Sequence, residues 1–327
     1  MTAAPVVAAL PANRSEADWE QAPSLLDGAV NLELTPESCG LAYWIKAAAQ
    51  GTWLGLVNDH APGALVPGYM LQPGPLREAI MGEFAFRSIS EEIATRAISD
   101  LVRTAPDLPT MEFYATQLID EARHSLAFRT HLLELGVPQA ELASTIERLA
   151  GGHRDAVLRP LQDFSVEVMS RPDSFICGVV ILTILVEGVL APAAELSERK
   201  WRLLDPAAAS IERGANIDEI RHLTVGSSVV RSHLRARPAD TARILEVIVR
   251  GRALWRELPV NAIVYERELL FQRGMEDHRA ALEGYELAPG LPLLATSPEQ
   301  RLMLANEWSR EMQDSRLTYM GLSEAIL

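Results

Sequence analysis

Two short stretches of the chain repeat one pattern of metal-binding side chains, DEARH at residues 120–124 and DEIRH at 218–222. In each, a glutamate precedes a histidine by three residues, which on a helix puts both side chains on one face. Carboxylate oxygen and imidazole nitrogen are ligands that suit Fe(II) and Mn(II). A lone Glu-x-x-His is common by chance, but two copies within long helical patterns indicate a metal site. The predicted ligands are Glu121, His124, Glu219 and His222.

Two such motifs require two more carboxylates, because four-helix dimetal sites take one glutamate from each of the other two helices. Glu187 is the only charged residue between Asp173 and Glu195. A lone buried carboxylate is costly unless it is paired or binds a metal. Glu187 is therefore a predicted ligand, and the alternative is a buried pair with an arginine.

The fourth carboxylate comes from one of two adjacent glutamates. On a helical wheel, Glu91 shares an apolar stripe with Ile98, whereas Glu92 lies on a polar stripe with Arg96. Glu91 also precedes Glu121 by nearly the spacing that separates Glu187 from its own motif. We predict Glu91 as the ligand. Glu92 is expected to pair with Arg96 at i,i+4 and remains the alternative ligand.

Long helical patterns must position these side chains, and no stretch shows sustained period-two alternation. We predict an all-α chain of one domain, 1–327, with a four-helix core over about 76–235. Residues 1–36 and 284–296 lack a regular pattern. The core helices are expected at 76–103, 110–135, 174–199 and 206–235. Shorter helices are expected at 138–150 and 155–170, and accessory helices within 37–57 and 239–320.

Residues beside the motifs have a predicted supporting role. A ligating histidine usually donates its second N–H to a carboxylate, so Asp120 and Asp218 are expected to reach the histidine of the opposite motif. Arg123 and Arg221 would balance the acidic cluster, although ordinary solvated helix surface explains them equally well. His131, seven residues after His124, is a possible additional ligand or a plain core or surface histidine.

Apolar side chains one or two turns from the ligands would keep water away from the metals. We predict that Phe84, Phe128 and Ile184 line a substrate pocket beside the ions. Catalysis would then proceed through the metals only.

Composition and charge limit the binding partners and the cellular location that we expect for the protein. The net charge is −14, and no run of Lys or Arg builds a basic face, so neither nucleic acid nor an anionic membrane is an expected partner. The longest apolar run is about twelve residues, short of the roughly 20 that span a bilayer. Two cysteines far apart and a start without signal-peptide features predict a cytoplasmic protein.

Taken together, Glu91, Glu187 and the two Glu-x-x-His motifs resemble the ferritin-like di-iron carboxylate superfamily over about residues 76–235. The resemblance implies a ferritin-like four-helix bundle with additional N- and C-terminal helices, two iron ions (or Mn/Fe, which the same ligands serve) and O2 activation. It also implies an external electron donor, a reductase or ferredoxin, and a homodimer.

Within that superfamily the chain is similar to stand-alone oxygenases of bacterial secondary metabolism. Two types fit, the p-aminobenzoate N-oxygenase type and the valanimycin-pathway type, although Ala215 replaces an extra histidine of the former. Phe128 stands where radical-generating subunits carry tyrosine, and Ala191 where multicomponent monooxygenases carry threonine. The expected reaction is oxidation of nitrogen in a small amine, hydroxylamine or hydrazine. Alternatives are a non-enzymatic iron-binding or radical-carrying subunit and a fatty-acyl desaturase-like enzyme, the latter weakened by the missing basic face.

Overall fold

The computed structural model describes residues 34–45, 59–60 and 63–326, and about 81% of these residues are helical. The all-α prediction is therefore confirmed, apart from one small hairpin, β1 (Glu286–Ala288) and β2 (Leu291–Pro292). The main helices are α1 (Pro75–Thr104), α2 (Leu108–Glu134), α3 (Leu142–His153, Arg154–Leu158 and Arg159–Met169, contiguous), α4 (Phe175–Trp201), α5 (Pro206–Ala236), α6 (Thr241–Glu257), α7 (Val260–Glu276) and α8 (Pro298–Met320).

Local signals explain where these helices begin and end. Asp107 and Asp205 accept backbone N–H groups in the first turns of α2 and α5, which satisfies donors that have no partner within the helix. Ser297 and Gln300 form a capping box at the start of α8. After α2, Gly136 adopts a positive φ of 87°, a conformation that glycine tolerates at no steric cost.

The helices α1, α2, α4 and α5 share two apolar clusters. On α1 the cluster containing Phe84 comes first and the one containing Ile98 second. On α2 and α4 the cluster containing Ile98 comes first, and on α5 the cluster containing Phe84 comes first again. Helices α1 and α5 therefore run in one direction, and α2 and α4 run in the opposite direction. Between the clusters, halfway along each helix, lies a layer of buried polar side chains.

Helix α4 is not a regular α-helix. Residues Ile181–Glu187 form a π-helical segment, in which the Gly188 N–H bonds to the Thr183 carbonyl five residues earlier. The Trp255 indole of α6 donates to the Leu185 carbonyl, and the Ser309 hydroxyl of α8 donates to the Val189 carbonyl. Side chains from two other helices thus hold the backbone of α4 on both sides of Glu187.

Several predicted boundaries need correction. The helices predicted at 138–150 and 155–170 are one continuous run, because a π-helical turn at Arg154–Leu158 joins them. The segment 284–296 contains the β1–β2 hairpin, whose strands are too short to show alternation. Of the accessory helix predicted at 37–57, the structure describes the turn Leu41–Tyr43, and residues 46–58 lie outside the described part. Residues 1–33 of the predicted irregular start also lie outside it.

By length and composition, α4 could cross a membrane, with a mean hydropathy of 2.3 over its most apolar window, but 78% of that window is buried inside the structure. Buried core helices of soluble proteins have the same length and composition. Cys39 and Cys177 are both buried.

Candidate metal centre

Six side chains from α1, α2, α4 and α5 converge in the polar layer and form two groups that could each hold a metal ion. In each group the potential ligand atoms lie within 4.8 Å of one another, and Glu121 belongs to both. One group is Glu121, Glu187, Glu219 and His222, and the other is Glu91, Glu121 and His124. The two groups are therefore adjoining and share one carboxylate.

The two histidines approach Glu121 in the same way from opposite motifs. His124 Nδ1 lies 3.1 Å from one carboxylate oxygen of Glu121, and His222 Nδ1 lies 3.3 Å from the other. Both Nε2 atoms face away, so Nδ1 is the nitrogen that each ring presents to an ion. A carboxylate with one imidazole at each oxygen is placed to contact two ions at once.

The opposite side of each ring is held by an aspartate of the other motif. His124 Nε2 lies 3.2 Å from Asp218 Oδ2, and His222 Nε2 lies 3.4 Å from Asp120 Oδ2. This is the crossed arrangement expected from the sequence. Such contacts fix the ring orientation and the tautomer of a ligating histidine.

Two arginines complete the crossed network. Arg123 forms an ion pair with Asp218, and Arg221 forms one with Asp120. Arg221 is fully buried and Arg123 nearly so, which excludes the solvated-surface explanation for both. The arginines neutralise the aspartates, so the charge of the glutamates is left for the ions.

The donor set fits divalent cations. Glu187 Oε2 and Glu219 Oε2 are buried and make no hydrogen bond within the described residues. A buried carboxylate oxygen without a partner is destabilising, and a metal ion would satisfy it. Four glutamates also carry the four negative charges that neutralise two divalent ions.

Without metal, protons take the place of the ions. Burial raises the pKa of Glu187 to about 8, and burial together with neighbouring glutamates raises the pKa values of Glu91 and Glu219 well above the usual range. Burial also disfavours the charged form of Glu121. Hydrogen bonds from the two histidines outweigh that effect and hold its pKa well below the usual range.

The same contacts keep the histidines protonated in the metal-free site. Burial and Arg123 oppose the positive charge of His124, but hydrogen bonds to Asp218 and Glu121 raise its pKa to about 10. Burial likewise opposes protonation of His222, whose bonds to Asp120 and Glu121 raise its pKa to about 9. Metal binding must displace these protons.

Two candidate ligands from the sequence lie outside the groups. Glu92 is exposed and pairs with Arg96 at 2.7 Å, because it is one position, about 100° of helical rotation, away from Glu91. His131 is fully buried, and its Nε2 lies 3.0 Å from Asp205. The prediction of His131 as an additional ligand is thus not supported, since its ring belongs to a separate buried pair.

Sequence analysis missed three residues that contact the cluster. Gln117 donates a hydrogen bond to Glu187 Oε1 from the preceding turn of α2. The Trp44 indole donates to Asp120 at 3.0 Å, and Asp59 pairs with Arg123. Gln117 precedes Glu121 by four residues, and this spacing places both side chains on the same face of α2. The sequence could therefore have indicated that Gln117 lies at the site. Trp44 and Asp59 lie far from the motifs in sequence, and no local pattern links them to the site.

Three cavities meet beside the carboxylates, with volumes of about 40, 120 and 270 Å³. The smallest touches Glu91, Glu121, Glu187 and Glu219. Ser90 and Leu190 line all three. The 120 Å³ cavity itself touches Glu91, whereas the 270 Å³ cavity touches none of the six candidate ligands and adjoins the smallest cavity.

The predicted pocket residues are only partly on these walls. Phe128 lines the 40 Å³ cavity, whereas Phe84 and Ile184 line none of these three cavities. Phe84 packs edge-on against Phe128, with ring centroids 4.8 Å apart, and Ile184 is fully buried in an apolar cluster.

Comparison with known proteins assigns no family to the chain. No protein-family model matches the chain, and no curated protein sequence matches it significantly. The structure itself defines the class to this extent: an all-α protein with a buried carboxylate–histidine cluster that could hold metal ions.

Proposed function

We propose that the chain is a ferritin-like four-helix-bundle oxygenase that binds two iron ions and activates dioxygen to oxidise nitrogen in a small organic substrate. One observation carries the metal part of this proposal. The histidines of both Glu-x-x-His motifs contact Glu121, one at each carboxylate oxygen. The other ring nitrogen of each histidine lies against the aspartate of the opposite motif. Bundle sites for two metals use two such motifs plus two further glutamates, here Glu91 and Glu187.

The side chains around the site would set its chemistry. Glu121 would contact both ions, and Glu91, Glu187 and Glu219 would complete the two ligand groups. Two ferrous ions bound there would supply electrons to dioxygen. Asp120 and Asp218 would keep the imidazole Nδ1 atoms directed at the ions, and the surrounding apolar clusters would limit access of water.

The nitrogen part of the proposal is supported by the similarity of the chain, in size and in the wording of its motifs, to stand-alone N-oxygenases, and by cavity space beside the carboxylates. Transfer of one oxygen atom from O2 to nitrogen leaves the second atom to depart as water. This balance requires two electrons and two protons, which we assign to an external reductase or ferredoxin. Helices beyond the ligand-bearing four also favour an enzyme over an iron store, because α3 and α7 supply walls of the cavities.

Metal loading tests the site. Metal-free protein would be loaded anaerobically with Fe(II), and iron per chain and optical absorption would be measured before and after exposure to O2. The wild type is expected to hold about two irons per chain, and Glu91→Ala and Glu187→Ala fewer. Glu92→Ala is the matched control, because it removes an exposed carboxylate next to Glu91. Equal loading of all four proteins would refute the site.

Turnover separates an oxygenase from an iron store. With an amine and an electron donor present, an oxygenase adds one oxygen atom to the amine, which mass spectrometry detects. A store would take up iron beyond two ions per chain and leave the amine unchanged. The second result would refute the proposed activity while keeping the metal site.

A further inference from the structure

The 270 Å³ cavity lies between α1 and α3, with α4 as its floor. Its wall is largely apolar, with Ile93, Leu158, Leu161, Ile181, Leu182 and Val186 among the lining residues. The volume is close to the lower end of the roughly 300–1,000 Å³ typical of small-molecule sites. Such a wall binds hydrocarbon well and polar groups poorly, because a polar group loses its hydrogen bonds to water there.

One end of this cavity adjoins the smaller cavity that touches the candidate ligands. Ser90 and Val186 line it and directly precede Glu91 and Glu187 in sequence. Both residues also line the 40 Å³ cavity that touches the glutamates. A molecule in the larger cavity can thus extend one end toward the ligands.

Beyond Ser90, part of the cavity wall is exposed to solvent. Ala97 and Gln162 line the cavity there and are both exposed, and Arg96 and Asp100 add charged groups at the rim. From Ser90 to Leu101, both on the wall, α1 rises about 16 Å at 1.5 Å per residue. The space is therefore elongated, with an apolar middle and a polar entrance.

We propose that this cavity binds the hydrocarbon tail of the substrate, and that the substrate is an aliphatic amine with a medium-length unbranched chain whose nitrogen points past Ser90 toward the glutamates. The proposal rests on the function proposed above and adds the substrate class. Neither an aromatic ring nor a short polar amine would fill an elongated apolar space of this length.

Binding of n-alkylamines to the metal-free protein tests this directly by calorimetry. A series from butylamine to dodecylamine would be compared at constant pH. Each methylene buried at about 0.8 kcal/mol corresponds to an affinity gain of up to about fourfold. We expect affinity to rise with chain length and to level off once the tail reaches the entrance. Affinity that is independent of chain length would overturn the proposal.

Two variants locate the binding. Ala97→Phe adds bulk at the entrance, and we expect it to weaken octylamine binding at least about tenfold. Ser99→Phe adds a comparable ring two residues further along α1, at an exposed position that does not line the cavity, and should bind octylamine like the wild type. Equal weakening in both variants, or in neither, would place the tail elsewhere and refute the assignment.

Iron content keeps this test separate from the proposed function. All three proteins should load about two irons per chain. Loss of chain-length dependence with normal iron loading would reject only the tail site. Failure of iron loading in the wild type would reject the function on which the proposal rests.

Discussion

Loading the site with metal should release a countable number of protons. At pH 7, His124, His222 and Glu187 each carry a proton in the metal-free protein, since their pKa values are about 10, 9 and 8. Metal binding requires neutral imidazole and ionised carboxylate. Glu91 and Glu219, whose pKa values are also raised, add up to two more. The expected release is therefore about three to five protons per chain.

Calorimetry gives this number directly. Fe(II) is titrated anaerobically into the metal-free protein in buffers of different ionisation enthalpy. The slope of the observed heat against the ionisation enthalpy of the buffer gives the number of protons released. The sign of the pH effect follows, because a reaction that releases protons becomes more favourable as pH rises. With three or more protons released, the overall binding constant for the ions should increase at least about a thousandfold per pH unit near neutrality.

Two glutamine variants sharpen the measurement. Glu187→Gln removes one protonated carboxyl and should release about one proton fewer. Glu92→Gln changes an exposed carboxylate in a surface ion pair and should leave the count unchanged. A release of one proton or none by the wild type would show that the metal-free site holds neutral histidines and ionised glutamates, contrary to the reasoning above.

Further predictions concern packing, a second buried pair and the aspartates. Gly274→Ala should lower the free energy of unfolding by about 1–3 kcal/mol, because a Cβ there would lie 2.8 Å from an α1 backbone nitrogen; Gly82→Ala, with open space, is the control. Burial lowers the pKa of His131, but hydrogen bonds and charge interactions with Asp205 and Glu134 outweigh it and raise that pKa to about 9. Protonated His131 therefore stabilises the fold by roughly 3 kcal/mol below pH 6.5, and this stabilisation is lost as the pH rises through 9. Chemical denaturation of wild type and His131→Gln across pH measures it. Asp218→Asn should weaken Fe(II) binding about 10–100-fold, measured by competition with a chelator.

Each of these has a contrary result. Equal stability of the two glycine variants would mean that α7 can move away from α1 at little cost. A stability difference between wild type and His131→Gln that stays constant from pH 6 to 10 would exclude a charged His131. Unchanged metal affinity of Asp218→Asn, with the fold intact, would remove the aspartate from the support of His124.

The ligand-bearing helices were predictable because their buried faces have a distinct pattern of apolar residues in the sequence. Glu187 stands alone in an apolar run, and Glu91 and Glu92 fall on stripes of opposite character. Helical spacing then places the motif side chains on one face. The structure brings the six side chains together as this reasoning expected, and it places Glu92 in solvent beside Arg96.

The remaining features depend on contacts that no local pattern encodes. Trp44 and Asp59 reach the motifs across 76 and 64 residues. Phe84 and Ile184 were assigned to a pocket by their apolar character, but the same character suits a filled core equally well. His131 shared the helical face of a ligand, and only the position of Asp205 at the start of α5 reveals its partner.

The π-helical segment of α4 bears on which part of the chain is needed for the site. A fragment ending with α5 would contain all six candidate ligands, yet it would lack Trp255 and Ser309, which bond to the α4 carbonyls around Glu187. If the segment relaxed to a regular α-helix, one extra residue would be absorbed, and the two parts of α4 would rotate by about 100° relative to each other. Glu187 would then turn away from Glu121. Possession of the ligands is therefore not sufficient for this site, because its geometry depends on helices that contribute no ligand.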